Sequence, residues 1–230
     1  MKILVNASTL VVGGGIQIGV SFIEQVYKNE RFIWLFLVSD GIFKNLSSEI
    51  KNRNNVICIK KSPAKIFSGK VSRKIIVKHE EKFKPDLVYS IGYPSYINFN
   101  NVELGRYTNP WEINSEPLPW HKIKGTIKKI IMRLGIFYRI LWAKNSDYIE
   151  TQTVTASKGI SKRVNFPLEK IFVIPNSPNS IFLDEGKNVN IDHSFNKENI
   201  AFCLSAPYEH KNLDFIPEVA SQLKNIYKIK

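Results

Sequence analysis

Short apolar runs alternate with helical patterns along this chain, and that alternation limits the folds open to it. The strand candidates are Lys2–Asn6, Phe32–Val38, Val56–Ile59, Asp86–Ser90, Val102–Tyr107, Asp147–Gln152, Lys170–Ile174 and Asn199–Leu204. Several are nearly continuous Val, Ile, Leu and Phe, the composition of strands covered on both faces. Between them, Ile16–Lys28 carries Ile16, Val20, Ile23 and Tyr27 at helical spacing. Lys65–Phe83 and Lys122–Lys144 read as longer helices, Thr155–Asn165 as a shorter one, and a last helix runs from about Leu213 to Tyr227. Strands alternating with helices predict an α/β fold, a doubly wound parallel sheet of Rossmann-like type.

The alternation breaks between residues 176 and 198. That stretch, entered through Pro175, holds Pro178, Gly186 and many Asn, Asp and Ser residues, the make-up of an interdomain linker. The expected organisation is therefore a domain over residues 1–175, a linker over 176–198, and a second α/β unit opening at 199–230. One strand and one helix cannot bury a core alone, so the second unit is expected to be incomplete.

The start of the chain turns polar at Asn6, too early for the apolar core of an export signal. No run approaches the roughly 20 apolar residues that span a bilayer. A cytoplasmic protein is expected. Cys58 and Cys203 lie inside apolar runs and read as buried thiols, not a disulfide framework. His79, His121, His193 and His210 have no metal-ligand spacing, so neither a metal nor another cofactor is expected.

Three segments could carry chemistry. The first strand leads into Gly13-Gly14-Gly15-Ile16-Gln17, directly before a helix. Glycines let backbone N–H groups approach a ligand closely, and a helix N-terminus favours an anion. Ile stands where a dinucleotide fingerprint needs its third glycine, which disfavours a nucleotide-cofactor oxidoreductase. A plain flexible turn is the alternative. The loop from Thr108 and Asn109 through Trp111, Glu112 and Trp120 to His121 follows a strand and suits sugar stacking. Asn109, Glu112 and His121 are its candidate catalytic groups, and simple surface packing is the alternative.

Charge matters at the third segment. The chain carries a formal +13, and residues 122–163 hold ten Lys/Arg against Asp147 and Glu150. Within it, Ile127, Ile130, Ile131, Leu134, Phe137, Tyr138, Leu141 and Trp142 interleave with Lys124, Lys128, Lys129 and Arg133. A helix of this kind can rest on anionic lipid headgroups, or it can be a core helix with a solvated basic face. No helix-turn-helix, zinc or RNA-binding signature accompanies the charge, so nucleic acid is not an expected partner.

Two further stretches are more specific. Residues 165–177 read Asn-Phe-Pro-Leu-Glu-Lys-Ile-Phe-Val-Ile-Pro-Asn-Ser, and residues 201–214 read Ala-Phe-Cys-Leu-Ser-Ala-Pro-Tyr-Glu-His-Lys-Asn-Leu-Asp. Together with Gly13–Gln17 and Glu150–Thr153, they resemble GT-B-fold glycosyltransferases of the retaining "glycosyl transferases group 1", family 4-like type. The resemblance implies transfer of a sugar from a nucleotide-sugar donor to a glycan or lipid-linked acceptor in cell-surface polysaccharide assembly. It implies that Lys211 neutralises the leaving diphosphate. It also implies that Gly13, Gly14, Gly15 and Gln17, with Thr108 and Asn109, face donor or acceptor. The chain departs from the family where Ala206 stands in place of the usual Arg, and no His stands near Thr108. The family's paired-glutamate motif would fall beyond residue 230, so the isolated chain is expected to lack a complete donor site. A non-catalytic membrane- or acceptor-binding module is the reading of a different class.

Overall fold

The computed structural model describes residues 1–109, 113, 124–176 and 213–227. Two compact units are present: Met1–Ser115 with Leu134–Ser177, and Glu116–Arg133 with Pro178–Lys230. The first contains a seven-stranded sheet, every strand pairing parallel to its neighbour. In chain order its elements are β1 (Lys2–Ala7), α1 (Gly13–Val26), β2 (Ile33–Ser39), α2 (Asp40–Asn45), α3 (Ser48–Lys51), β3 (Val56–Ile59), α4 (Lys70–Phe83), β4 (Leu87–Ser90), β5 (Glu103–Arg106), α5 (Thr126–Trp142), β6 (Tyr148–Thr151), α6 (Val154–Val164) and β7 (Ile171–Val173). Helix α5 begins among the residues of the second unit and ends in the first. The described part of the second unit otherwise consists of a 3-10 turn, Leu213–Phe215, and α7, Ile216–Tyr227. The expected strand Asn199–Leu204 and linker from Ser177 onward lie outside the described residues.

Strand order is β3-β2-β1-β4-β5-β6-β7. Successive strands add leftward from β1 to β3 and rightward from β4 to β7. The direction of winding reverses between β1 and β4, so a crevice opens above their carboxyl ends. This is the α/β, Rossmann-like architecture that the alternation predicts.

The central strands β1 and β2 read as largely apolar because both of their faces are covered. Ile3, Val5 and Ala7 of β1 pack with Val20 and Ile23 of α1 and Ile42 of α2. Leu4 of the same strand points to the opposite face, with Val88, Leu37 and Ile76 of α4. A third cluster joins Ile149, Ile171, Ile160 and Val164 to Tyr93 and Tyr107.

Element boundaries differ from the sequence reading where side chains hold the backbone. Helix α4 starts at Lys70, not Lys65, because the Arg73 guanidinium donates to the carbonyls of Pro63, Lys65 and Ile66 and holds that segment as a turn. Helices α2 and α3 were not anticipated. Both are short and each is started by a serine, Ser39 and Ser47, whose hydroxyl accepts a backbone N–H.

Gly105 in β5 has a packing reason. A Cβ there would stand 2.4 Å from Cδ2 of Tyr93. That ring cannot retreat easily, since its hydroxyl donates to Trp142 O at 3.1 Å and accepts from Ser146 N–H at 3.0 Å. Gly105→Ala is expected to lower unfolding free energy by about 1–3 kcal/mol. Chemical denaturation checks this, and unchanged stability would show that the ring is free to move.

Candidate functional site

The rim of the crevice is built from the ends of β1 and β4. Asn6 and Ser90 are directly paired across these two strands. The Asn6 amide donates to Ser90 Oγ at 3.3 Å, and its Oδ1 accepts from both the N–H and the hydroxyl of Ser8, the latter at 2.6 Å. An Asx-type turn of this kind bends the chain sharply as it leaves the strand. Beyond it, the Thr9 hydroxyl donates to Gly92 O, and the Ser39 hydroxyl at the end of β2 donates to Leu10 O. The β1–α1 loop is thereby tied to both neighbouring strand ends. The Tyr93–Pro94 peptide in the loop after β4 is cis.

Helix α1 opens at Gly13, so the three glycines form its first turn; the sequence reading had placed them in a loop ahead of the helix. The reason is local. Val12 is extended and Gly13 takes φ 55°, a left-handed conformation that glycine enters without strain. Nothing among the described side chains caps this end: Val12 makes no capping bond, and no acid lies in the first turn. The free N–H groups and the helix dipole leave partial positive charge beside the crevice. The glycines are not equivalent. A Cβ at Gly15 would meet Leu10 Cδ2 at 3.1 Å, while one at Gly14 would meet no described atom within 4 Å. Packing within the described chain therefore does not demand glycine at position 14. Gly13, Gly14 and Gln17 are exposed and Gly15 is half-buried.

A buried polar chain runs inward from this rim. Ser90 Oγ, which receives the Asn6 amide, donates to Glu103 Oε1 at 2.6 Å. Glu103 is the first residue of β5 and is 3% exposed. Burial pushes its carboxyl up to about 7, against hydrogen bonds from Ser90 and Ser95 that favour the charged form. Glu80 on α4, also buried, is raised chiefly by burial; its Oε1 accepts the N–H groups of Asn100 and Asn101 at 2.7 and 2.9 Å.

A second cluster occupies the other face at the carboxyl ends of β5 to β7. Arg106 and Glu150 are directly paired across β5 and β6, with Arg106 Nε 3.4 Å from Glu150 Oε1. Tyr89 donates to Glu150 Oε2 at 2.7 Å, and a guanidinium N–H of Arg106 reaches Asn176 Oδ1. Burial, and then the Glu150 charge, push the Tyr89 phenol far above its ordinary value, so it stays a donor.

Of the residues singled out in sequence, Gly13, Gly14, Gly15 and Gln17 stand at the start of α1 beside the crevice. Thr108 is exposed and Asn109 half-buried just past the end of β5. Glu112, His121 and Lys211 lie outside the described residues. Lys124, Lys128 and Arg133 are exposed on or beside α5, and Lys129 is half-buried. No group of three or more His, Cys, Asp or Glu side chains among the described residues is placed to hold a metal ion. Sequence reasoning passed over Asn6, Ser8, Ser90 and Glu103. The available signal was a polar Asn6 inside the apolar run Lys2–Ala7, where the pattern calls for a buried side chain.

The sequence matches no family model, and no curated protein is similar to it in sequence. Among solved structures, the chain is similar to UDP-GlcNAc 2-epimerase from Neisseria meningitidis bound to UDP-GlcNAc, with a TM-score of 0.50 and 12% identity. The similarity covers 99% of this chain and 64% of that one, so the chain spans less than two thirds of its structural neighbour. At this identity the likeness is one of fold.

Proposed function

We propose that this chain belongs to a nucleotide-sugar glycosyltransferase, passing a sugar from a nucleotide-sugar donor to a glycan or lipid-linked acceptor in cell-surface polysaccharide synthesis. In this reading residues 1–175 form the acceptor-side domain, and the chain from residue 199 begins the donor side. Catalysis takes place on the cytoplasmic side of the membrane, and no metal takes part.

The observation that carries the reading is the uncapped glycine turn of α1 beside the β1–β4 crevice. Its N–H groups and dipole suit the charge of a diphosphate, and position 14 has a glycine that packing does not explain. Two further facts support it. The residues at 165–177 and 201–214 resemble the family described above, and the structural neighbour carries UDP-GlcNAc. In the proposed reaction the first turn of α1 would steady phosphate oxygens while Lys211 offsets charge on the leaving diphosphate. Thr108 and Asn109 would face the acceptor.

The test uses Gly14→Val. Valine at this position meets open space and is a better helix former than glycine, so thermal stability should hold or rise slightly. Titration with UDP-GlcNAc and with other nucleotide sugars should show saturable binding to the wild-type chain and at least about tenfold weaker binding to the variant. Because the chain is expected to hold only part of the donor site, UDP is titrated beside the sugars, and no saturable binding of either would reject the first turn of α1 as a diphosphate site. Equal binding by the variant would remove α1 from the site.

A further inference from the structure

A buried carboxyl is wired to the rim of the crevice. Glu103 pairs directly with Val88 across β4 and β5, so it shares the face on which Val88, Leu4 and Ile76 pack. Its Oε1 accepts the Ser90 hydroxyl at 2.6 Å, and Ser90 Oγ accepts the Asn6 amide at 3.3 Å. Asn6 Oδ1 in turn accepts the Ser8 hydroxyl at 2.6 Å. Ser8 leads into Leu10, whose side chain lies against the first turn of α1: a Cβ at Gly15 would stand 3.1 Å from Leu10 Cδ2. The path from carboxyl to glycine turn thus runs through touching groups, all within the first unit.

Water screens little along this path. Asn6, Ser8 and Ser90 have no exposed surface and Glu103 is 3% exposed. The groups that face Glu103 are acids and hydroxyls. Glu80 faces it from α4, and the Tyr93 phenol from the loop after β4. Asp147, just before β6, accepts the Glu103 N–H at 2.8 Å. Burial is the largest cause that keeps the carboxyl protonated up to about pH 7, so its charge changes near neutrality. Strand β5 stands two strands from β1, roughly 10 Å away. A full charge at that range, in a medium of effective dielectric constant 20 or more, still alters anion affinity several-fold.

We propose that Glu103 controls how tightly the first turn of α1 holds a diphosphate: the protonated carboxyl permits tight binding, and the ionised carboxyl opposes it. The inference rests on the reading of that turn as a diphosphate site and adds a proton-dependent control to it. Glu103 touches no ligand in this scheme. Its negative charge, when present, offsets part of the positive potential of the uncapped helix end. The Ser90 hydroxyl donates to the carboxyl and favours the charged form, so it helps to set the pH at which the control operates.

Titration with UDP across a pH series, from about 5.5 to about 8.5, tests it on wild type and Glu103→Gln. Glutamine keeps the shape of the side chain and stays neutral, and the ionisation of UDP itself is common to both proteins. At the acid end the two should bind UDP alike. At the alkaline end the variant should bind about three- to tenfold more tightly than wild type. Ser90→Ala removes a hydrogen bond that favours the ionised carboxyl, so its loss of affinity relative to Glu103→Gln should begin at higher pH. A merely structural role for Ser90 would lower affinity by the same factor at every pH. An affinity ratio between wild type and Glu103→Gln that is constant across the series overturns the inference and leaves the diphosphate site standing. An unshifted midpoint in Ser90→Ala also overturns it. Absence of saturable UDP binding from both proteins at every pH overturns the inference together with the site.

Discussion

Replacing Glu150 with alanine is expected to destabilise the first unit by about 3–5 kcal/mol. The side chains of Glu150 and Arg106 are only 3% and 14% exposed, so the substitution leaves a largely buried guanidinium without its counter-charge. It also strips the Tyr89 hydroxyl of its acceptor. The loss would be a large share of a domain's usual margin of roughly 5–15 kcal/mol. Glu150→Gln keeps an acceptor for Tyr89 and should cost less. The double substitution R106M/E150L removes both charges together and should recover much of the loss of either change alone, because an apolar pair of similar size carries no desolvation penalty. Urea unfolding of wild type, R106M, E150L and R106M/E150L forms a double-mutant cycle. If the single variants simply add, the pair is not coupled and the cross-strand bridge contributes nothing specific.

The second large effect concerns pH. The ordinary value for a glutamate carboxyl is 4.5, and burial raises Glu103 to about 7 in the folded chain. Between these values the folded state holds a proton that the unfolded state has released. Its stabilising contribution is therefore complete below about pH 4.5 and is lost as pH rises through about 7. The full span is worth about 3 kcal/mol. Asp147 and Glu80 add to the upward shift as nearby carboxylates, and Glu80 is itself raised by burial, so the wild-type curve contains more than one titration. Glu103→Gln isolates the one of interest. Glutamine stays neutral and retains an oxygen for the Ser90 hydroxyl, so at pH 8–9 the variant should be the more stable protein by up to about 3 kcal/mol. Near pH 5 the two should agree closely. Parallel stability curves would show that Glu103 titrates as an exposed carboxyl does.

The Glu103 chain ends at the crevice. Ser90 connects the carboxyl to Asn6, and Asn6 shapes the turn through Ser8 into α1. This continuity was not readable from spacing. Asn6 lies 84 residues before Ser90 and Glu103 lies 13 residues after it, and only the β1–β4–β5 pairing brings them together. The same holds for Tyr89, Arg106 and Glu150, which come from three strands. By residue type the glycines were legible as a place where backbone N–H groups can approach a ligand closely. Their position as the first turn of α1 depended on the φ of Gly13 and on the ties that Thr9 and Leu10 make to neighbouring loops.

By itself the sequence determined that this is a parallel α/β sheet with helices around it. Local apolar periodicity registers how many faces of each segment are covered, and Ile3, Leu4 and Val5 in succession report a strand buried on both sides. The amphipathic, basic character of α5 was equally local. Tertiary structure alone decided strand order, and with it the crevice between β1 and β4. It also decided which side of α5 faces outward, because periodicity reveals that a helix has an apolar stripe and not whether the fold covers it.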